Sequence, residues 1–150
     1  DIGVLNGDAA IKALRTSNKA DLVAALVKNS SGNTAGIGNM GSLSGNKNAC
    51  WSVSKVGAVG APNRTFAHEV GHNLGAGHSD SAGAESSAKG LRFTGSDGKD
   101  YRTQMAYAPG TRIPWYSNPN KSYQGKPTGT ASANNAATIA KVSKKVEGYE

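Results

Sequence analysis

A single cysteine stands in this chain, so no internal disulfide can form, and stability has to come from packing and hydrogen bonding. Cys50, beside Trp51, reads as a small buried hydrophobe. A nucleophilic thiol would want a base beside it, and the three histidines have a better use. Long apolar runs are also missing: none approaches the roughly 20 residues of a membrane span, so no membrane partner is expected. There is no initial methionine and no basic segment leading into an apolar one, and the reading expects any export signal to have been removed already. Clustered charge is scarce too. Lys and Arg outnumber Asp and Glu by 17 to 10, for a net charge of +7. Yet Lys12, Arg15, Lys19, Lys28, Lys47 and Lys55 are scattered, and the one small group is Lys141, Lys144 and Lys145. Without interleaved aromatics this basicity reads as solvated surface, and nucleic acid is not expected as a partner.

What the chain has in quantity is glycine, 20 of 150 residues, with short apolar runs between turns. That is the composition of a globular protein rich in loops. The length fits one domain with one core, here taken as residues 1–150, with an upper part of about 1–78 and a lower part of about 79–150.

Ala9, Ile11, Ala13 and Leu14, set among Lys and Arg, predict a short amphipathic helix from Asp8 to Asn18 with Asp8 as its cap. Leu22 to Val27 is a continuous apolar run, which reads as a buried strand of a partly parallel sheet. A helical crossover implies a preceding strand, and Ile2 to Leu5 is the candidate. A brief strand is expected near Ala35 to Met40. Another covers Cys50 to Val56, where periodicity does not choose between Cys50, Ser52, Ser54 and Trp51, Val53, Lys55 as the inward set. Thr65 to Leu74 reads as a helix ended by Gly75. Gly, Ser, Asp and Pro then recur through Gly129, predicting an irregular lower half. Ala137, Ile139, Ala140, Val142 and Val146 predict a closing helix within Ala131 to Tyr149.

All three histidines fall in one eleven-residue stretch, His68-Glu69-Val70-Gly71-His72-Asn73-Leu74-Gly75-Ala76-Gly77-His78. On a helix, His68 and His72 lie one turn apart on the same face, with Glu69 offset by about 100° along the same side. Gly75 can take a backbone angle that turns the chain, so that His78 approaches from another direction. Three imidazoles with a fourth position open is the coordination of catalytic rather than structural zinc. The five fixed positions recur by chance at roughly one site in tens of millions. Zinc lowers the pKa of bound water towards about 7, and Glu69 can take the proton as general base and return it to a leaving amine.

This stretch resembles the extended zinc signature of the metzincins, a clan of zinc endopeptidases. Thr103-Gln104-Met105-Ala106-Tyr107 looks like the clan's Met-turn, which implies Met105 as an apolar floor beneath the metal histidines. Tyr107 is similar in position to a tyrosine that stabilises the transition-state oxyanion in some members. Arg112 to Asn120 corresponds to the outer wall of the pocket that follows the scissile bond, implying Arg112, Pro114, Trp115 and Tyr116 as pocket residues. The whole looks most like bacterial peptidyl-Asp metalloendopeptidases and adamalysin-like (reprolysin-like) enzymes. Ser79 after His78 departs from the latter, which usually carry Asp there.

The resemblance implies an α/β (α+β) fold: a twisted mixed sheet with the active-site helix, above an irregular lower half closed by a C-terminal helix. It implies one catalytic Zn2+, extended protein or peptide substrates laid on a sheet edge, here taken as the strand around Cys50 to Val56 or the loop leading from it, and a secreted or exported monomer. It also implies a possible preference for an acidic residue after the cut, with Arg112 as counter-charge. A noncatalytic zinc-stabilised adhesion or interaction domain is the alternative, and it would not need Glu69. Asp97-Gly98-Lys99-Asp100 holds two carboxylates near a glycine; a calcium site is conceivable there, but a turn explains it better.

Overall fold

A computed structural model describes residues 1–28 and 33–149. Its elements in chain order are α1 (Ile2–Gly7), α2 (Ala9–Ser17), β1 (Val23–Val27), β2 (Gly36–Gly38), β3 (Trp51–Lys55), α3 (Thr65–Asn73), β4 (Arg92–Thr94), β5 (Asp100–Arg102), β6 (Thr111–Arg112), β7 (Ser122–Tyr123), β8 (Lys126–Pro127) and α4 (Asn135–Val146).

The N-terminal expectation splits in two. Asp8 caps α2 as expected, its carboxylate accepting from the Ile11 N–H at 3.0 Å. Ile2 to Leu5, however, is helical rather than extended. Asp1 accepts from the Gly3 N–H at 2.8 Å and starts α1, and this local cap outweighs the strand preference of Ile2 and Val4.

The principal sheet has the order β1-β3-β2, with β1 parallel and β2 antiparallel to β3. Val23 to Val27 is therefore an edge strand, and its residues alternate between half-buried and exposed. Its unbroken apolar run suggested full burial, but that describes β3, where Trp51, Ser52, Val53 and Ser54 are all buried. Neither proposed inward set wins, because both faces of β3 are covered. The same order removes the strand from the expected substrate edge: β3 has a neighbour on each side, and among the described residues the open edge beside α3 belongs to β2.

Helix α3 packs on β2 and β3. A Cβ on Gly38 would lie 2.5 Å from the Glu69 carbonyl oxygen, so this approach of strand to helix needs glycine. Asn73, at the helix end and fully buried, donates its amide to the carbonyls of Asn39, Ala49 and Trp51, binding α3 to the ends of both strands.

The lower half is mostly loop, with the short strands β4-β5-β6 and the β7-β8 ribbon. Helix α4 closes the molecule as expected. Val142 and Val146 bury against Cys50, with Leu22, Leu43 and Leu74 around them. Cys50 is the small buried hydrophobe foreseen, and burial raises its thiol to about 11. Asp97 to Asp100 is a turn: Asp97 accepts from the Lys99 N–H and the Tyr101 hydroxyl, and Asp100 accepts from Thr94. These bonds tie both carboxylates into the turn, and the group of residues that could hold a metal among the described residues is the three histidines.

Candidate active site

Helix α3 carries His68 and His72 one turn apart, both buried. Gly75 follows at φ +81°, an angle that side chains disfavour, and the chain turns there to bring His78 back. One ring nitrogen from each histidine lies within 4.8 Å of the others. Nε2 of His68 and Nε2 of His78 are 3.1 Å apart.

The far sides of the rings decide what these nitrogens can do. Nδ1 of His68 is 3.1 Å from the Gln104 carbonyl, and Nδ1 of His72 is 2.9 Å from the Ala76 carbonyl. A carbonyl only accepts, so each Nδ1 carries the hydrogen and each Nε2 presents a lone pair. Burial pushes His68 down to about 3 and His72 down to about 4, and it lowers His78 as well, keeping all three imidazoles neutral at pH 7. The edge of a tetrahedral zinc site with bonds of about 2.0–2.1 Å measures about 3.3 Å, close to the His68–His78 separation. The donor set therefore fits zinc.

Two buried residues brace this arrangement. Gln104 donates its side-chain amide to the Arg64 carbonyl at the start of α3, while its own carbonyl holds His68. Met105 is fully buried in the turn closed by the Ala106 N–H on the Thr103 carbonyl. A Cβ on Gly71 would lie 2.7 Å from the Met105 sulfur and 2.9 Å from the Tyr116 ring, so both pack directly on the helix between the two histidines.

A cavity of about 320 Å³ opens beside the triad, lined by Gly36, His68, Glu69, Arg102, Tyr107 and Arg112 among others. The Glu69 carboxyl is buried, and desolvation raises it to about 7, against a smaller opposing pull from Arg112. Tyr107 is half-exposed, its ring 4.2 Å from that of His78, and burial with the charges of Glu69 and Asp80 raises its phenol. It thus keeps its proton at neutral pH.

Of the four residues expected in the pocket, Arg112 lines this cavity, and Pro114, Trp115 and Tyr116 do not. Trp115 turns outward against Tyr123, and Tyr116 instead braces α3 by donating its hydroxyl to the Ala67 carbonyl at 2.6 Å. Arg102 was not foreseen. It becomes a lining residue because β5 and β6 pair with Arg102 opposite Arg112, and that register has no signal in the sequence. Arg102 donates to the Gly110 and Ala106 carbonyls, Arg112 to those of Asn63 and Ala106. Among the described residues neither guanidinium forms an ion pair with a carboxylate.

A family model described as metallo-peptidase family M12B, reprolysin-like, matches residues 4–79. Two proteins of Stenotrophomonas maltophilia, from different strains and both named peptidyl-Asp metalloendopeptidase, are 35% and 34% identical over 147 residues. Each alignment covers 87% of this chain and 34% of the relative, so the chain spans about a third of the length of these curated relatives. A protein of the same name from Xanthomonas campestris pv. campestris is 40% identical over 75 residues, 45% of this chain and 17% of that relative. Among solved structures, one described as a chaperone-substrate complex superposes with a TM-score of 0.77 at 21% identity, over 99% of this chain and 24% of that one. This last likeness concerns the fold.

Proposed function

The chain belongs to the reprolysin-like M12B metallopeptidase family, and on that premise we propose that it is the catalytic domain of a zinc endopeptidase with Glu69 as general base. The observation that carries this reading is the convergence of His68, His72 and His78 beside a cavity that also holds the Glu69 carboxyl. Zinc, when bound there, supplies Lewis acidity for the scissile carbonyl and makes water acidic enough to attack near neutral pH.

The chain's own residues do the rest. Glu69, its proton affinity already near neutrality, accepts the proton of the attacking water and passes it to the leaving amine. Tyr107 donates its hydroxyl hydrogen to the developing oxyanion. Gln104 and Ala76 hold the imidazoles with Nε2 inward, and Met105 acts as the floor of a Met-turn. An extended substrate adds to the outer edge of β2, which is unpaired among the described residues, and main-chain hydrogen bonds there align it over α3.

The relatives' name supports a narrower preference, for an acidic side chain after the scissile bond. Arg102 and Arg112 stand side by side in the cavity, neither in an ion pair with a carboxylate among the described residues, and like charges opposite one another across strands favour an anion between them. Membership of a peptidase family makes proteins and peptides its substrates, and the likeness to these relatives supports an exported enzyme acting as a monomer.

Glu69→Ala against His72→Ala tests the reading. Glu69→Ala should retain zinc and lose peptide hydrolysis by about 10²- to 10⁴-fold, whereas His72→Ala loses both. Hydrolysis by Glu69→Ala equal to that of the unaltered protein would favour a noncatalytic zinc-stabilised interaction domain.

A further inference from the structure

The third histidine differs from the other two in how it is held. His68 and His72 ride on a helix, and a backbone carbonyl anchors each ring. His78 lies in an irregular segment, and among the described residues its Nδ1 has the Ser81 hydroxyl at 3.5 Å, beyond ordinary hydrogen-bond length. The aim of its ring thus depends on the backbone that carries it, together with packing against His72 and Tyr107.

That backbone is held from a distant part of the chain. Asn135, in the first turn of α4, is fully buried. Its Oδ1 accepts from the Gly77 N–H at 3.0 Å, and its Nδ2 donates to the Gly77 carbonyl at 2.9 Å. The second of these bonds grips the peptide that joins Gly77 to His78. Asn135 is itself fixed, since its N–H donates at 2.9 Å to the Ser117 hydroxyl, which donates to the Lys89 carbonyl at 2.5 Å. Gly77 is closely packed, since a Cβ there would meet the Gly83 nitrogen at 2.1 Å and the Ala88 carbonyl oxygen at 2.4 Å. Asn135 shares it with the Ala88 carbonyl, which accepts from the Gly77 N–H, and the Gly90 N–H, which donates to the Gly77 carbonyl.

We propose that Asn135 is a positioning residue for the metal site, setting through Gly77 the direction in which His78 presents its ring. This rests on the zinc reading above. An aspartate in its place would keep an acceptor for the Gly77 N–H but turn a carboxylate oxygen towards the Gly77 carbonyl, losing the grip on the ligand-bearing peptide.

Anchoring of α4 alone would give a different outcome, and Thr138 supplies the control. It lies one turn further along α4, fully buried, and its hydroxyl donates to Glu85, while its methyl faces Gly75 and is kept in valine. Zinc affinity is measured by competition with a chromogenic chelator, ligand geometry by the visible spectrum of the Co2+-substituted protein, and metal-free stability by urea unfolding. Asn135→Ala and Asn135→Asp should each weaken zinc binding by about 10- to 100-fold and alter the Co2+ spectrum. Thr138→Val should lower metal-free stability while leaving affinity and spectrum as in the unaltered protein. Equal affinity changes in the Asn135 and Thr138 variants, or none in the Asn135 variants, would overturn the proposal. Should the Asn135 variants not fold, nuclear magnetic resonance of the unaltered protein decides: the Asn135 side-chain amide should shift and slow its exchange on zinc loading, and an unchanged signal rejects the role. Failure of the unaltered protein to bind zinc would instead overturn the metal site itself.

Discussion

Arg102 and Arg112 face each other across the β5–β6 pairing, and both donate to one acceptor, the Ala106 carbonyl. Two guanidiniums in one cavity wall repel, and desolvation lowers the pKa of each. An incoming carboxylate relieves both. Arg112→Gln should therefore reduce kcat/KM on peptides with Asp after the cut by about 10- to 100-fold, the value of a hydrogen bond to a charged group. Peptides with Ala there should be little affected. Matched peptide pairs check this, and an equal loss on both would remove Arg112 from specificity.

Tyr107 makes its closest ring contact with His78 and leaves about half its surface open. Tyr107→Phe should lower kcat by about 100-fold, the lower end of the range for losing one oxyanion donor, with little change in KM. Steady-state kinetics separate the two constants, and an unchanged kcat would assign the ring to packing alone.

Gly71 carries Met105 and Tyr116 directly against α3. Gly71→Ala inserts a methyl group where the sulfur and ring already sit, and should destabilise the metal-free protein by about 1–3 kcal/mol. Urea unfolding measures the loss, and an unchanged midpoint would mean that the floor beneath the histidines yields freely.

The metal-free protein should have a stability maximum near neutrality. His68 and His72 have folded pKa values of about 3 and 4, below their ordinary 6.5. The unfolded chain thus takes up their protons first, and stability rises with pH from about 4 to 6.5. Glu69 runs the other way. Raised from 4.5 to about 7, it contributes stability below pH 4.5 that is lost as pH climbs to 7. Glu69→Gln should steepen the rise and remove the decline. Unfolding of both proteins across pH 4 to 8 tests the sign, and parallel curves would contradict it.

The histidine-bearing helix was readable because its information is local: two histidines one turn apart, a turning glycine and a third histidine all fall within eleven residues. The closing helix was readable from its apolar spacing. Strand identity fared less well. Val23 to Val27 looks interior by composition, yet its position at the edge is decided by β3 pairing with β2 on the far side. Ile2 to Leu5 failed for the opposite reason, a one-residue cap overriding side-chain preference. Arg102 and Asn135 were invisible because each matters through a partner fixed only by the tertiary fold, Arg112 by strand register and Gly77 by the docking of α4.

The hydrogen bond from His68 to the Gln104 carbonyl spans 36 positions of the chain. Grafting the eleven-residue motif onto an unrelated helix would consequently transplant three histidines without the carbonyl that dictates which nitrogen of the first one faces inward. An engineer borrowing this centre has to carry the distant Gln104 turn along with the helix, or rebuild an equivalent acceptor in the recipient scaffold.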